Sequence, residues 1–152
     1  MQEQSNQLDK GRIARLGATC PARHLRMATR VATQLYDEVF KPIGLRSTQM
    51  PVLVATTLLE PATITQLANA LVMDRTTLTR NLRPLERDGL IIVITGDDQR
   101  TREVTLTAHG KEVVAQALPL WEQAQARIVD ELGEEWRQDI LEKLSALVSL
   151  VR

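Results

Sequence analysis

Thr76, Arg80, Arg83 and Arg87 recur every three or four residues, the spacing that places side chains on one face of an α-helix. A row of guanidinium groups can form a solvated face paired with carboxylates such as Glu86 and Asp88, or it can meet an external polyanion. Arginine pairs bidentately with guanine in a major groove, and threonine offers a hydroxyl and a methyl to other bases. Arg75, Thr77 and Thr79 flank the same face, and the N-terminus of such a helix can receive a phosphate. Further along, Arg100 and Arg102 follow the turn-rich run Gly96-Asp97-Asp98-Gln99, where they suit a minor-groove or backbone contact. A second constellation lies near the N-terminus. Cys20 precedes Pro21 at a helix start with Arg23 nearby, a position that makes a thiol a redox candidate. Cys20 and His24 share a helix side, but only His109 remains as a further soft ligand. That is too few for a tetrahedral site, so neither a metal nor a cofactor is expected.

These side chains need particular elements to hold them. After Pro21, the stripe Leu25, Ala28, Ala32, Leu35 and Val39 predicts a helix running to Lys41-Pro42. Ser47 is a candidate N-cap for a second helix carrying Met50, Leu53, Val54, Thr57 and Leu58. Pro51 falls in its first turn, where proline does least damage, and Glu60-Pro61-Ala62 ends it. Thr63-x-x-Gln66 is a capping box before Ile64, Leu67, Ala68 and Leu71. Asp74 then caps a fourth helix whose buried stripe is Leu78, Leu82 and Leu85, with Gly89 closing it. Pro84 removes the hydrogen bond to the Arg80 carbonyl and predicts a bend or a tightened last turn.

From Ile91 to Ile94 the chain is β-branched, and Val104 and Leu106 alternate with polar residues beyond the turn, which predicts a β-hairpin. Helix resumes near Thr107 with Val113, Ala117, Trp121, Ala124 and Ile128 in register, Trp121 being read as core. After Gly133, the residues Trp136, Ile140, Leu144, Leu147 and Val151 stripe a last helix. Burying that stripe calls for a second copy of the chain. The expected fold is mainly α with a small β-hairpin: a winged helix-turn-helix lobe over residues 47–107 between terminal dimerisation segments 1–46 and 108–152, in one compact domain.

Composition narrows the function. With 152 residues, 43% apolar and 25% charged, the chain has the profile of a globular protein. One cysteine excludes an internal disulfide framework. The polar start Met-Gln-Glu-Gln-Ser-Asn is read as lacking a secretion leader, and the run Val52 to Leu59 is too short to span a bilayer. A cytoplasmic protein without a membrane partner is expected. Two histidines, and no Gly-rich phosphate loop, His-Glu-x-x-His or Gly-x-Ser-x-Gly motif, argue against an enzyme. The 19 basic and 19 acidic residues cancel, which at face value argues against a nucleic-acid partner. Resolved along the chain, residues 1–46 carry 8 basic and 4 acidic groups and residues 108–152 carry 5 and 8. A local basic face is compatible with that pattern.

Asp74-Arg75-Thr76-Thr77-Leu78-Thr79-Arg80 followed by Leu85-Glu86-Arg87-Asp88-Gly89-Leu90-Ile91 resembles the recognition helix of the MarR family of bacterial transcription regulators. Asp98-Gln99-Arg100, with Val104-Thr105-Leu106-Thr107 and Gly110, is similar to that family's wing signature, and the resemblance covers nearly the whole chain. It implies a homodimer built from terminal helices and a palindromic operator in double-stranded DNA. It also implies that Arg100 enters the minor groove with Asp98 orienting it, while Thr76, Thr77, Thr79 and Arg80 address the major groove. A cleft between the lobes would take a small aromatic acid as effector, with Arg15, His24, Arg26 and Trp121 as candidate residues. Repression relieved by that effector is the leading expectation. A thiol switch at Cys20 and a winged helix that docks proteins without DNA are the alternatives.

Overall fold

The computed structural model describes residues 8–98 and 100–151; Gln99 of the turn and the N-terminal hexapeptide lie outside that range. The helices are α1 (Lys10–Thr19), α2 (Pro21–Phe40), α3 (Met50–Leu59), α4 (Ile64–Ala70), α5 (Arg75–Arg87), α6 (Ala108–Leu132) and α7 (Glu134–Ser149), with a 3-10 turn at Lys41–Ile43. Strands β1 (Ala62–Thr63), β2 (Ile91–Thr95) and β3 (Arg102–Leu106) form an antiparallel sheet with β3 in the middle. The chain forms two compact units, Met1–Gln34 and Leu35–Arg152.

The first unit holds α1 and most of α2. Asp9 caps α1 by accepting the Arg12 N–H at 3.0 Å. No residue of α1 is buried, and its apolar pattern is limited to Ile13 and Leu16, too short a stripe to have been recognised in the sequence.

The second unit holds the core. Phe40, Leu53, Leu67, Leu78, Leu85, Ile91 and Val104 are fully buried there. The mainly helical fold with a winged helix-turn-helix is as expected, but the wing has three strands. Ala62 pairs with Val104 and Thr63 with Glu103, while Ile91 pairs with Leu106 through to Thr95 with Arg102. Two residues are too short a run for alternation to reveal β1.

Ser47 does not cap α3. That helix begins at Met50 with Pro51 in its first turn, and its cap residue Gln49 makes no side-chain cap bond. The Ser47 N–H instead donates to Asp37 at 2.7 Å. Hydrogen bonds from Ser47, chiefly from its backbone, and the charge of Arg46 hold the Asp37 carboxyl below the usual aspartate range. A backbone donor facing a carboxylate is a stronger interaction than a neutral cap. That stronger bond commits Ser47 to α2.

The junction of α5, the wing and α6 is the tightest point. The Thr107 hydroxyl donates to the Gly89 carbonyl at 2.5 Å and accepts the Gly110 N–H at 2.9 Å. The Thr107 N–H reaches the Leu90 carbonyl at 3.1 Å. A Cβ on Gly110 would stand 2.0 Å from that same carbonyl oxygen. Gly110→Ala is therefore expected to cost about 3 kcal/mol, read as a lower urea midpoint at unchanged m-value. At the opposite extreme, Val72 is half exposed at φ 54 in the turn between α4 and α5. A β-branched residue is strained there. Val72→Asn is expected to stabilise by about 1 kcal/mol in the same measurement, since asparagine tolerates this region.

Candidate nucleic-acid interface

The interface is built from the helix-turn-helix upward. Thr63 and Gln66 form the reciprocal box that starts α4: the Gln66 N–H reaches Thr63 Oγ1 at 3.1 Å, and the Thr63 N–H reaches Gln66 Oε1 at 2.9 Å. After the turn, Asp74 caps α5. Its Oδ1 accepts the Thr77 N–H at 2.8 Å and its Oδ2 accepts the Thr77 hydroxyl at 2.6 Å. These bonds hold the Asp74 carboxyl below the usual aspartate range. The helix ends in two bonds, Gly89 N–H to Glu86 carbonyl at 3.0 Å and Leu90 N–H to Leu85 carbonyl at 2.9 Å. With Gly89 at φ 72 this is a Schellman stop. Pro84 thus costs one bond yet leaves α5 intact to Arg87, with the tightening confined to its end.

Leu78, Leu82 and Leu85 face the core, and Arg75, Thr76, Thr79, Arg80 and Arg83 line a shallow groove on the outer face. The threonines are not equivalent. Thr77 spends its hydroxyl proton on Asp74, and Thr79 donates to the Arg75 carbonyl at 2.8 Å. Both keep only acceptor capacity, whereas Thr76 is exposed on the groove. The arginines also divide. Arg87 pairs through Nε with Asp88 at 3.0 Å, as a solvated face would, while Arg80 and Arg83 make no ion pair among the described residues.

At the wing tip, Asp98 Oδ1 accepts the Arg100 N–H at 3.0 Å and the Asp98 carbonyl accepts the Thr101 N–H at 2.8 Å. Asp98 therefore holds Arg100 by its backbone, leaving the guanidinium in solvent. Arg102 is exposed at the start of β3, opposite Thr95.

The other candidates are divided between the two units. In the first unit, Cys20, Arg26, Arg23 and Arg30 line a shallow cavity, and Arg15 is exposed on α1. His24 Nδ1 lies 2.9 Å from the Cys20 carbonyl oxygen. Among the described residues no three His, Cys, Asp or Glu side chains converge as a metal site, and no helix is long and apolar enough to cross a membrane. Trp121 corrects an expectation: it is 42% exposed rather than core. Along α6 the core cluster ends at Ala117 with Leu120 packed against it, so the indole is only partly covered. The sequence reading missed Arg46, Thr48 and Gln49, which share a cleft with Arg80 and Arg87. They precede α5 by some thirty residues, so no spacing rule links them.

Residues 45–101 match the sequence profile of the MarR family. The MosR transcriptional regulator of M. tuberculosis, solved in complex with DNA, is 36% identical, with 87% of this chain and 98% of that chain covered and a TM-score of 0.76. The chain belongs to the MarR family. The repressor CouR, bound to a 23-mer DNA duplex, has the same fold at a TM-score of 0.78 and 23% identity, over 93% of this chain and 99% of that one. An uncharacterised HTH-type transcriptional regulator of Bacillus cereus is 29% identical over 120 residues, 79% of this chain and 80% of its own. As a MarR-family regulator the protein is not an enzyme.

Asp74 gives the interface a pH signature. Its contribution is fully present above its unfolded pKa near 3.8 and is lost as pH falls through the lower folded value. Asp74→Asn keeps one capping oxygen but loses the charge and the second acceptor, so it is expected to flatten the acid limb of the stability curve by lowering the melting temperature at neutral pH toward its acid value. Thermal melts between about pH 2 and 7 check this.

Proposed function

We propose that this chain binds double-stranded DNA as a cytoplasmic homodimer at a palindromic operator and represses transcription until a small aromatic acid releases it. The observation that carries the reading is the outer face of α5: Arg80 and Arg83 are exposed without a carboxylate partner among the described residues, beside Arg75, Thr76 and Thr79. A protein-docking face would carry aromatic or aliphatic anchors instead. In this reading Thr76 and Arg80 address base edges, and Thr77 and Thr79 accept from bases or phosphates. Arg83 and Arg75 take phosphates, while Arg100 and Arg102 extend from the wing toward the minor groove, Asp98 setting the tip. A DNA complex of the 36%-identical MosR supports the DNA partner.

Dimerisation through segments 1–46 and 108–152 is supported by apolar side chains left partly exposed on the second unit. Trp136 is 43% exposed, Leu147 45% and Val151 76%. Two-fold symmetry would set the recognition helices about one DNA turn, ~34 Å, apart. Arg15, His24 and Arg26 offer charge to an acidic effector, and the exposed Trp121 offers a ring. The cavity that joins Arg26 to Arg23 and Arg30 favours an anionic ligand, which places this reading ahead of a thiol switch at Cys20.

Selection of bound duplexes from a random pool is expected to enrich a palindrome, and the absence of one would count against the reading. With that operator, Arg100→Ala is expected to weaken binding about tenfold or more at matched salt without changing the melting temperature. Titration by fluorescence anisotropy measures it.

A further inference from the structure

Beside the recognition face lies a cleft of about 620 Å³ whose walls include Arg46, Thr48, Gln49, Arg80, Asn81 and Arg87. Three arginines from two distant stretches of sequence line it. Arg46 comes from the loop before α3, and Arg80 and Arg87 from α5. Arginines brought together repel, Asp88 and Asp37 offset only part of that charge, and a polyanion relieves the remainder. Asp88 is the only carboxylate in the lining, and it is taken by Arg87 Nε at 3.0 Å, which leaves the terminal Arg87 nitrogens uncommitted. Arg46 is not in any ion pair among the described residues.

The loop that presents Arg46 is fixed in advance. The Arg46 N–H donates to Gln49 Oε1 at 2.9 Å, and the Gln49 N–H returns to the Arg46 carbonyl at 2.9 Å. Asp37 holds the next residue, Ser47, through its N–H at 2.7 Å. Gln49 keeps its amide protons, and Thr48 its hydroxyl, for an acceptor in the cleft. No large apolar side chain lines the walls, so the cleft suits neither an aromatic ligand nor a protein anchor.

Arg80 borders both this cleft and the groove on the outer face of α5. A helix seated in a major groove about 12 Å wide has the sugar-phosphate strands along its flanks. Resting on the reading of α5 as the DNA-facing helix, we infer that Arg46, with Arg87 and Gln49, forms a phosphate clamp. It grips one DNA strand beside α5 and sets affinity and register without reading sequence. Removing one guanidinium from a phosphate contact lowers the magnitude of the salt slope by about 0.9 in B-DNA.

The test measures dissociation constants of the full chain for a random-sequence duplex and for the selected operator, from about 50 to 300 mM salt, a range over which counterion release is steep. Arg46→Ala is expected to bind both duplexes more weakly and to shallow the slope by about one unit for each. The operator-to-random ratio should stay constant and the melting temperature should not move. Arg46→Lys, which keeps the charge, is expected to restore the slope. An unchanged slope in Arg46→Ala, a loss confined to the operator, or an equal loss in Arg46→Lys each overturns the clamp. Failure of the underlying reading shows separately, because the wild-type protein would then bind neither duplex.

Discussion

Everything that positions the arginines depends on one close approach between backbones. The end of α5 and the start of α6 meet where Gly110 lies against the Leu90 carbonyl, too close for any Cβ, and Thr107 bonds to both sides of the gap. That contact sets where β2 leaves the recognition helix and where β3 must end. It therefore sets the angle of the wing relative to α5. The glycine is required because backbone, and not a movable side chain, occupies the space. Glu60 adds a second tie, accepting the Leu106 N–H at 3.2 Å and pairing with Lys111 at 3.4 Å, so that the end of α3 is bound to β3 and α6. A recognition helix and a wing must be held rigidly for their arginines to meet a duplex together.

Electrostatics enter on top of that frame. The balanced total of 19 against 19 charges says little about any one surface, because screening limits each charge to roughly 8 Å at physiological salt. What matters is which carboxylates lie within that range. Around α5, Asp74 serves the helix cap and Asp88 pairs with Arg87, while Glu86 is exposed and makes no ion pair with Arg80 or Arg83 among the described residues. The guanidinium groups of Arg80 and Arg83 keep their charge facing solvent. Neutrality of the whole chain is then an advantage for a sequence reader, since it limits general attraction to phosphate and leaves placement to decide binding.

Much of this was legible in residue order. Asp74, Thr63-x-x-Gln66 and Gly89 are local signals, each needing only its neighbours within one turn to act, and each appears where the sequence puts it. Leu78, Leu82 and Leu85 likewise declare the inner face of α5, and thereby the outer one. Ser47, Trp121 and β1 were misread for a common reason. Ser47 chose between two bonding partners, one of them ten residues away. Trp121 had the spacing of a core residue but lies past the end of the core cluster on α6, where its own chain covers it only in part. Two residues of β1 become a strand only because β3 offers them an edge.

Helices α2 to α7, the caps at Thr63 and Asp74, the stop at Gly89 and the recognition face were written in residue order, because periodicity and capping are short-range physics. Packing settled which charges remain unpaired, and it set Arg46 on the same cleft as Arg80 and Arg87. It also decided how closely Gly110 approaches Leu90. Those facts join residues far apart in the chain. Proximity of that kind is set by how the core packs, and no local pattern encodes it.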